Sequence, residues 1–437
     1  MTNNDQQDKI TSYAQAEAFI MNALPMFQHV GRKALDTYDL EKVSNFLAYL
    51  GNPQDRFRSI HIAGTNGKGS VAHMLAAVYQ KNDFKTGLFT SPHLLSYRER
   101  MKVNGDLIDE ESVLAWVQRH YDYLRTSHLS FFEMSMGLAC CWFADQEVDI
   151  VLMETGLGGR LDATNVITPL LAIITNIDYD HQDILGDSLE LIAHEKAGII
   201  KKNRPTVLGN VDPKLYPVFE KIADEKESKL IYSDRSLILR SEDTHDGIVY
   251  HLQKNVLPGS KIELPNKAEY HRYNLNTVLH ALHILKENKE LPLKSTAAKS
   301  GLENFIRLTG FRGRYEVIHG SPLIIADAAH NPAGLRYFER FFKNNSVHLH
   351  IVLGLVKGKN LEETFSVLPD HATYYFCAAN VPRAMDSNVL QFEAQKYGLN
   401  GETWPSVQRA INEIILNANK EDIGLVMGSI YLLEEIL

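Results

Sequence analysis

Ser59-Ile60-His61-Ile62-Ala63-Gly64-Thr65-Asn66-Gly67-Lys68-Gly69-Ser70 starts as an apolar run, breaks into glycines, and resumes over residues 71–79 as a helical pattern. Strand, glycine-rich turn and helix is the context in which a chain cradles phosphate. Gly64, Gly67 and Gly69 allow positive φ and a close approach of backbone N–H groups to an anion. The helix start adds oriented donors and a partial positive charge. Lys68 would then reach the terminal phosphates, and Ser70 could ligate Mg²⁺. The usual G-x-x-x-x-G-K-[ST] spacing is not met, because the hydroxyl follows Lys68 by two residues. A glycine turn with an exposed lysine is the bland alternative; the flanking strand and helix favour a nucleotide.

Outward from this loop, short Val/Ile/Leu-rich runs recur at 57–63, 149–153, 170–177, 322–326, 347–353, 373–377 and 423–427. None alternates with period two, so they read as strands buried on both faces, as in parallel sheets covered by helices. The expected class is α/β, doubly wound. Residues 233–265 differ in texture, with polar alternation such as Ile248-Val249-Tyr250-His251-Leu252, and predict a small antiparallel excursion. A helix over 274–287 and a breaker at Leu291-Pro292 follow. The chain is expected to divide into 1–310 and 311–437.

Composition narrows the class. The 437 residues are 44% hydrophobic and 23% charged, enough for folded cores in two or three domains. Lys+Arg of 45 against Asp+Glu of 54 gives a net charge of −9, which argues against non-specific nucleic-acid binding. Cys140, Cys141 and Cys377 offer neither a disulfide framework nor a zinc cluster, as suits a reducing compartment. Residues 1–9 are polar and do not read as a signal peptide, and no apolar stretch nears the roughly 18–20 residues of a membrane helix. The expectation is a cytoplasmic protein with no nucleic-acid or membrane partner.

Two strand ends and one helix carry further chemistry. The run ending at Met153 is followed by Glu154-Thr155-Gly156-Leu157-Gly158-Gly159-Arg160-Leu161-Asp162-Ala163-Thr164-Asn165. A carboxylate at a strand's carboxyl end points to the crevice where open α/β sheets bind ligands, and it suits Mg²⁺. The next run ends in Asp178-Tyr179-Asp180-His181, where His181 is either a ligand or a loop histidine. On the helix predicted over 188–200, Lys196 falls on the apolar stripe of Leu189, Ile192 and Ile199. Such a lysine either snorkels or is held inward; burial would depress its pKa, and a neutral amine can add CO₂ to become a carbamate.

These segments, with Thr90-Ser91-Pro92-His93-Leu94, Glu195-Lys196-Ala197-Gly198-Ile199-Ile200-Lys201, Asp327-Ala328-Ala329-His330-Asn331-Pro332 and Met427-Gly428-Ser429, resemble folylpolyglutamate synthase/dihydrofolate synthase, the folate branch of the Mur ligases. The resemblance runs in order from about residue 30 to the end. It implies a Mur-ligase-like P-loop ATPase domain with a mostly parallel sheet and a smaller C-terminal Rossmann-like α/β domain. The implied activity is ATP-dependent addition of L-glutamate to dihydropteroate, to the γ-carboxylate of a folate, or to both, through an acyl phosphate. ATP, the pteroate or folate and L-glutamate are the implied partners, and a monomer is expected.

Position by position, the resemblance puts ATP on Asn66, Gly67, Lys68, Gly69, Ser70, Asn276, Arg314 and Asp327. Mg²⁺, two ions by expectation, falls to Ser70, Ser91, Glu154 and His181. Lys196 matches the family's carbamylated lysine, and Lys68, Lys196 and His330 are the implied catalytic groups. Ser91, Pro92 and His93 would lie by the pterin, while His330 and Ser429 would line an inter-domain cleft for glutamate. The chain departs from the pattern at Ala328, usually Gly, and at residues 269–274, which replace Gly-x-His-Gln. It departs again at Gly358-Lys359-Asn360, commonly Asp-Lys-Asp, and at Phe311-Arg312-Gly313-Arg314, where the arginine persists.

Blander roles compete. Phe131 and Phe132 read as core, Asn331-Pro332 as a helix start, and Cys140-Cys141 as small core residues. The rival functions are another Mur-type amino-acid ligase and a P-loop kinase or NTPase.

Overall fold

The computed structural model describes residues 10–23 and 40–437, apart from positions 288, 290 and 345. The polar start, residues 1–9, lies outside the described residues. Two compact units emerge: Met1–Arg240 with His251–Ile262 and Tyr273–Gly310, and Ser241–Tyr250 with Glu263–Arg272 and Phe311–Leu437.

The first unit is built on eight strands: β1 (Arg58–Ala63), β2 (Thr86–Phe89), β3 (Met101–Val103), β4 (Asp106–Leu107), β5 (Ile150–Glu154), β6 (Leu171–Asn176), β7 (Thr206–Asn210) and β8 (Leu230–Tyr232). Their order is β4-β3-β2-β5-β1-β6-β7-β8. From β2 to β8 neighbouring strands are parallel; only β3 and β4 run antiparallel, as a hairpin on the edge. Strands β1, β5 and β6 are buried along nearly their whole length, which explains their unbroken apolar runs. One hydrophobic cluster packs helix Phe131–Asp145 on Phe89, Val151 and Met153. Another packs helices Leu189–Ala197 and Tyr216–Glu225 around Ala63, Ala172, Ile174 and Leu208.

Strand β1 lies between β5 and β6, with Ile62 opposite Glu154 and Ala63 opposite Ile174. From β1 the chain goes first to β2 on one side and only later to β6 on the other. This reversal opens a crevice at the carboxyl ends of the strands, where α/β folds bind ligands.

The excursion over 233–265 is a three-stranded sheet of β9 (Ile238–Asp243), β10 (Gly247–Leu252) and β11 (Lys261–Pro265), ordered β11-β10-β9. The division into units passes through it. The second unit carries β12 (Glu316–Gly320), β13 (Leu323–Ala326), β14 (Leu349–Leu353), β15 (Thr373–Phe376), β16 (Gly401–Thr403) and β17 (Ile423–Met427), ordered β12-β13-β17-β14-β15-β16. All neighbours are parallel except the β12–β13 edge pair. The fold is thus α/β, a mostly parallel sheet followed by a smaller Rossmann-like one. Among the described residues no helix is long and apolar enough to cross a membrane.

Candidate active site

The loop after β1 is fixed by the end of β6. Asn66 N donates to Asn176 Oδ1 at 2.7 Å and Thr65 N to Asn176 O at 3.1 Å. Thr65 Oγ1 donates to Asp178 O at 3.0 Å, and Thr175 Oγ1 donates to Asn66 O. Gly67, at φ 84°, starts helix Lys68–Lys81 from the left-handed region. Gly69 does not share that conformation; it lies in the helix, where its Cβ position comes within 3.6 Å of Glu154 Oε2. That is an ordinary van der Waals distance, so neither φ nor a steric clash demands glycine there.

Two lysines meet at one carbonyl. Lys68 Nζ donates to Gly64 O at 3.1 Å and Thr65 O at 3.2 Å, and Lys196 Nζ donates to the same Gly64 O at 2.9 Å. Lys196 is 4% exposed, so it is held inward and does not snorkel. Burial chiefly, then the neighbouring Lys68 charge, bring its pKa down to about 7, against the opposing pull of Asp180 and Asp162.

Glu154 closes β5 and is buried; its Oε2 accepts from Ser91 N at 3.1 Å. Beside it, the segment after β2 is tied by Glu99, whose carboxylate accepts from the backbones of Leu94, Leu95 and Ser96. The Ser91–Pro92 peptide is cis. Arg100 Nε donates to His93 Nδ1 at 2.8 Å, and burial together with that guanidinium lowers the His93 pKa to about 3. Below the site, His61 Nε2 lies 2.8 Å from Thr164 Oγ1, which in turn bonds Asp162. Burial, then Lys201, brings His61 down to about 3, so it stays neutral.

His181 caps the turn Gln182–Leu185 after β6 with φ 49°, a left-handed backbone that is costly away from glycine. Its N–H donates to Asp180 Oδ1 at 3.0 Å. Among the described residues, no three His, Cys, Asp or Glu side chains form a metal cluster. The donor set still fits a hard divalent ion: a buried carboxylate at Glu154 approached by the start of the Ser70 helix.

Asn276 and Asn274 exchange expected places. Asn276 Oδ1 accepts from Leu237 N at 2.8 Å and its Nδ2 donates to Ser233 O at 2.8 Å, so its amide holds the 233–237 backbone. Asn274 instead sits against the glycine loop, with Oδ1 2.3 Å from the Cβ position of Gly67. Its Nδ2 is buried with no hydrogen-bond partner, a donor beside the glycine loop two residues from the expected Asn276. Two asparagines in one helical turn look alike in sequence; only packing distinguishes them. Glu133 completes a capping box with Ser130 and pairs with Lys42 at 3.2 Å.

In the second unit, the loops after β13 and β17 adjoin, Gly428 N donating to Ala329 O at 2.7 Å. Buried Asp327 accepts from Tyr270 Oη (2.7 Å), Tyr315 N (2.8 Å) and Ala329 N (2.8 Å). Burial raises its pKa, with Arg314 opposing. Arg314 Nη1 donates to Gly313 O at 2.9 Å. His330 Nδ1 lies 2.9 Å from Ala328 O, Asn331 caps helix Pro332–Arg336, and Ser429 caps the turn Ile430–Leu433.

The Mur ligase middle domain matches residues 62–281, and the glutamate ligase domain of Mur ligases matches residues 313–430. A dihydrofolate synthase/folylpolyglutamate synthase of Buchnera aphidicola is 30% identical over 432 residues, covering 95% of either chain. The folylpolyglutamate synthase of Mycobacterium tuberculosis, solved with ADP and AMPPCP, superposes with a TM-score of 0.82 at 28% identity, covering 98% of each chain. The bifunctional folylpolyglutamate synthase/dihydrofolate synthase of Yersinia pestis, solved with AMPPNP and a Mn ion, gives 0.80 at 26% identity, covering 98% of this chain and 97% of that one.

Proposed function

We propose, from the premise that the chain belongs to the Mur ligase family and within it to the dihydrofolate synthase/folylpolyglutamate synthases, that it joins L-glutamate to dihydropteroate and to folates. The observation that carries this reading is the meeting of Lys68 and Lys196 at Gly64 O, at the ends of three parallel strands and beside buried Glu154.

The substrate carboxylate attacks the γ-phosphorus of ATP; the β–γ P–O bond breaks and ADP leaves. The glutamate amine then attacks the acyl carbon, loses a proton, and expels inorganic phosphate. Little covalent chemistry falls to the protein, so positioning and charge neutralisation dominate. Backbone N–H groups of Gly67–Ser70 cradle the phosphates, the Asn66 N–H being held by Asn176, and Lys68 swings from its two carbonyls to the γ-phosphate. Ser70, Ser91, Glu154 and His181 hold the divalent ion, which neutralises phosphate charge when bound. Asn274, in place of the expected Asn276, serves the nucleotide with Arg314 and Asp327, the last held in the anchored loop after β13. Ser91, Pro92 and His93 face the pterin, and His330 and Ser429 the glutamate.

Lys196 carries a carbamate. Its neutral amine attacks the carbon of CO₂, a C–N bond forms, one C–O π pair moves to oxygen, and the nitrogen releases a proton. Its low pKa supports this. A cation is thereby exchanged for an anion able to reach the metal. The protein acts as a monomer in the cytoplasm, where its three free thiols remain reduced.

The deciding experiment measures ADP release with dihydropteroate or tetrahydrofolate, each with and without L-glutamate, and identifies the product by mass. ADP formed at full rate without acid or glutamate would mean an NTPase or kinase; turnover only on a UDP-muramyl acid would mean another Mur-type ligase.

A further inference from the structure

The glycine-rich stretch after β5 does more than point Glu154. It is bonded to the last turn of the helix that bears Lys196. Arg160 N donates to Glu195 O at 2.7 Å, and the Arg160 guanidinium meets the Glu195 carboxylate through Nη2 at 2.9 Å and Nε at 3.2 Å. Asn165 Nδ2 donates to both Arg160 O and Gly198 O, each at 3.0 Å. Both acceptors are carbonyls, so the amide orientation is fixed by its partners. Lys201 Nζ donates to Asn165 O at 2.6 Å, adding a second tie beyond the helix end.

The approach is too close for side chains. A Cβ on Gly198 would lie 2.3 Å from Arg160 Cα, and one on Gly159 would lie 2.9 Å from Lys196 O. The stretch therefore rests on the peptide of Lys196 itself. A long side chain amplifies small rotations of its own backbone, and displacements of about 1 Å are enough to disable a catalytic group.

We infer that Asn165 and Arg160 are positioning residues for Lys196, bolting its helix end to the strand that carries Glu154 so that its Nζ stays at Gly64 O. Asn165 is the stronger of the two. It is 6% exposed and bridges two backbone carbonyls, whereas the Arg160–Glu195 pair is partly solvated and exposed ion pairs contribute little. The inference rests on the carbamate reading of Lys196 only for its first readout.

In that readout the full-length protein is titrated with [¹³C]bicarbonate and the NMR carbamate signal that disappears in Lys196→Ala is followed. Asn165→Ala is expected to need at least about fivefold more bicarbonate for half the signal, and Arg160→Ala about twofold more. Loss of stability alone would lower Tm and the total signal but leave half-saturation at the wild-type value; that result for Asn165→Ala overturns the inference. If the wild-type protein gives no Lys196-dependent signal, the carbamate reading fails by itself, and steady-state rates decide the positioning role. A roughly tenfold lower kcat in Asn165→Ala, with KM for ATP within about twofold, upholds it; a wild-type kcat refutes it.

Discussion

Lys196 and Lys68 share one acceptor, Gly64 O, and their substitutions should fail in different ways. Lys68→Ala should cut turnover by about two orders of magnitude through lost charge stabilisation, read as a raised KM for ATP with a lowered kcat. Lys196→Ala should abolish turnover and be partly rescued by short carboxylic acids that supply the missing anion. Activity without added acid would remove the carbamate. Because the Lys196 pKa lies near 7 instead of 10.5, its neutral fraction grows as pH rises from about 6 to 8. Expressed as dissolved CO₂, half-activation should therefore need a lower concentration at pH 8 than at pH 6. Residue chemistry was readable here because Lys196 stands on an apolar stripe. The choice between Asn274 and Asn276 was not, since both lie in one turn and only the contact with Gly67 separates them.

Among elements, strands were more legible than the segments that fix them. The buried runs of β1, β5, β6, β13, β14, β15 and β17 announce themselves by continuous apolarity, within a residue or two of their ends. Short β4 and β16 bury too little to leave a pattern and β3, though buried, is only three residues long, while the Glu99 carboxylate that gathers three backbone donors shows in sequence only as the S-x-x-E of a capping box with Ser96. The helix start at Asn331-Pro332 was legible from capping chemistry, and the structure bears it out. Asn331→Ala should cost about 1 kcal/mol of stability, seen as a lower urea midpoint. It should also lower kcat, because the cap anchors the turn presenting His330; a stability loss with unchanged kcat would separate His330 from catalysis.

For the molecule as a whole, acid sensitivity follows from its buried histidines. His61, His93 and His271 each have a pKa lowered to about 3, chiefly by burial, against 6.5 when unfolded. Below pH 6.5 the unfolded chain binds more protons than the folded one, so stability falls as pH drops from about 6.5 towards 3. Urea midpoints at pH 5 should lie below those at pH 7, and His61→Gln should flatten part of that difference. A second property of the whole concerns the path of the chain. It passes from one unit to the other at 240/241, 250/251, 262/263, 272/273 and 310/311. Residues 263–272 bring Tyr270, whose hydroxyl holds Asp327, to a unit whose longest stretch begins at Phe311. A gene fragment started at codon 311 would encode Asp327 without its tyrosine. Shuffling the two halves between homologous genes at that point would draw Tyr270 and Asp327 from different parents.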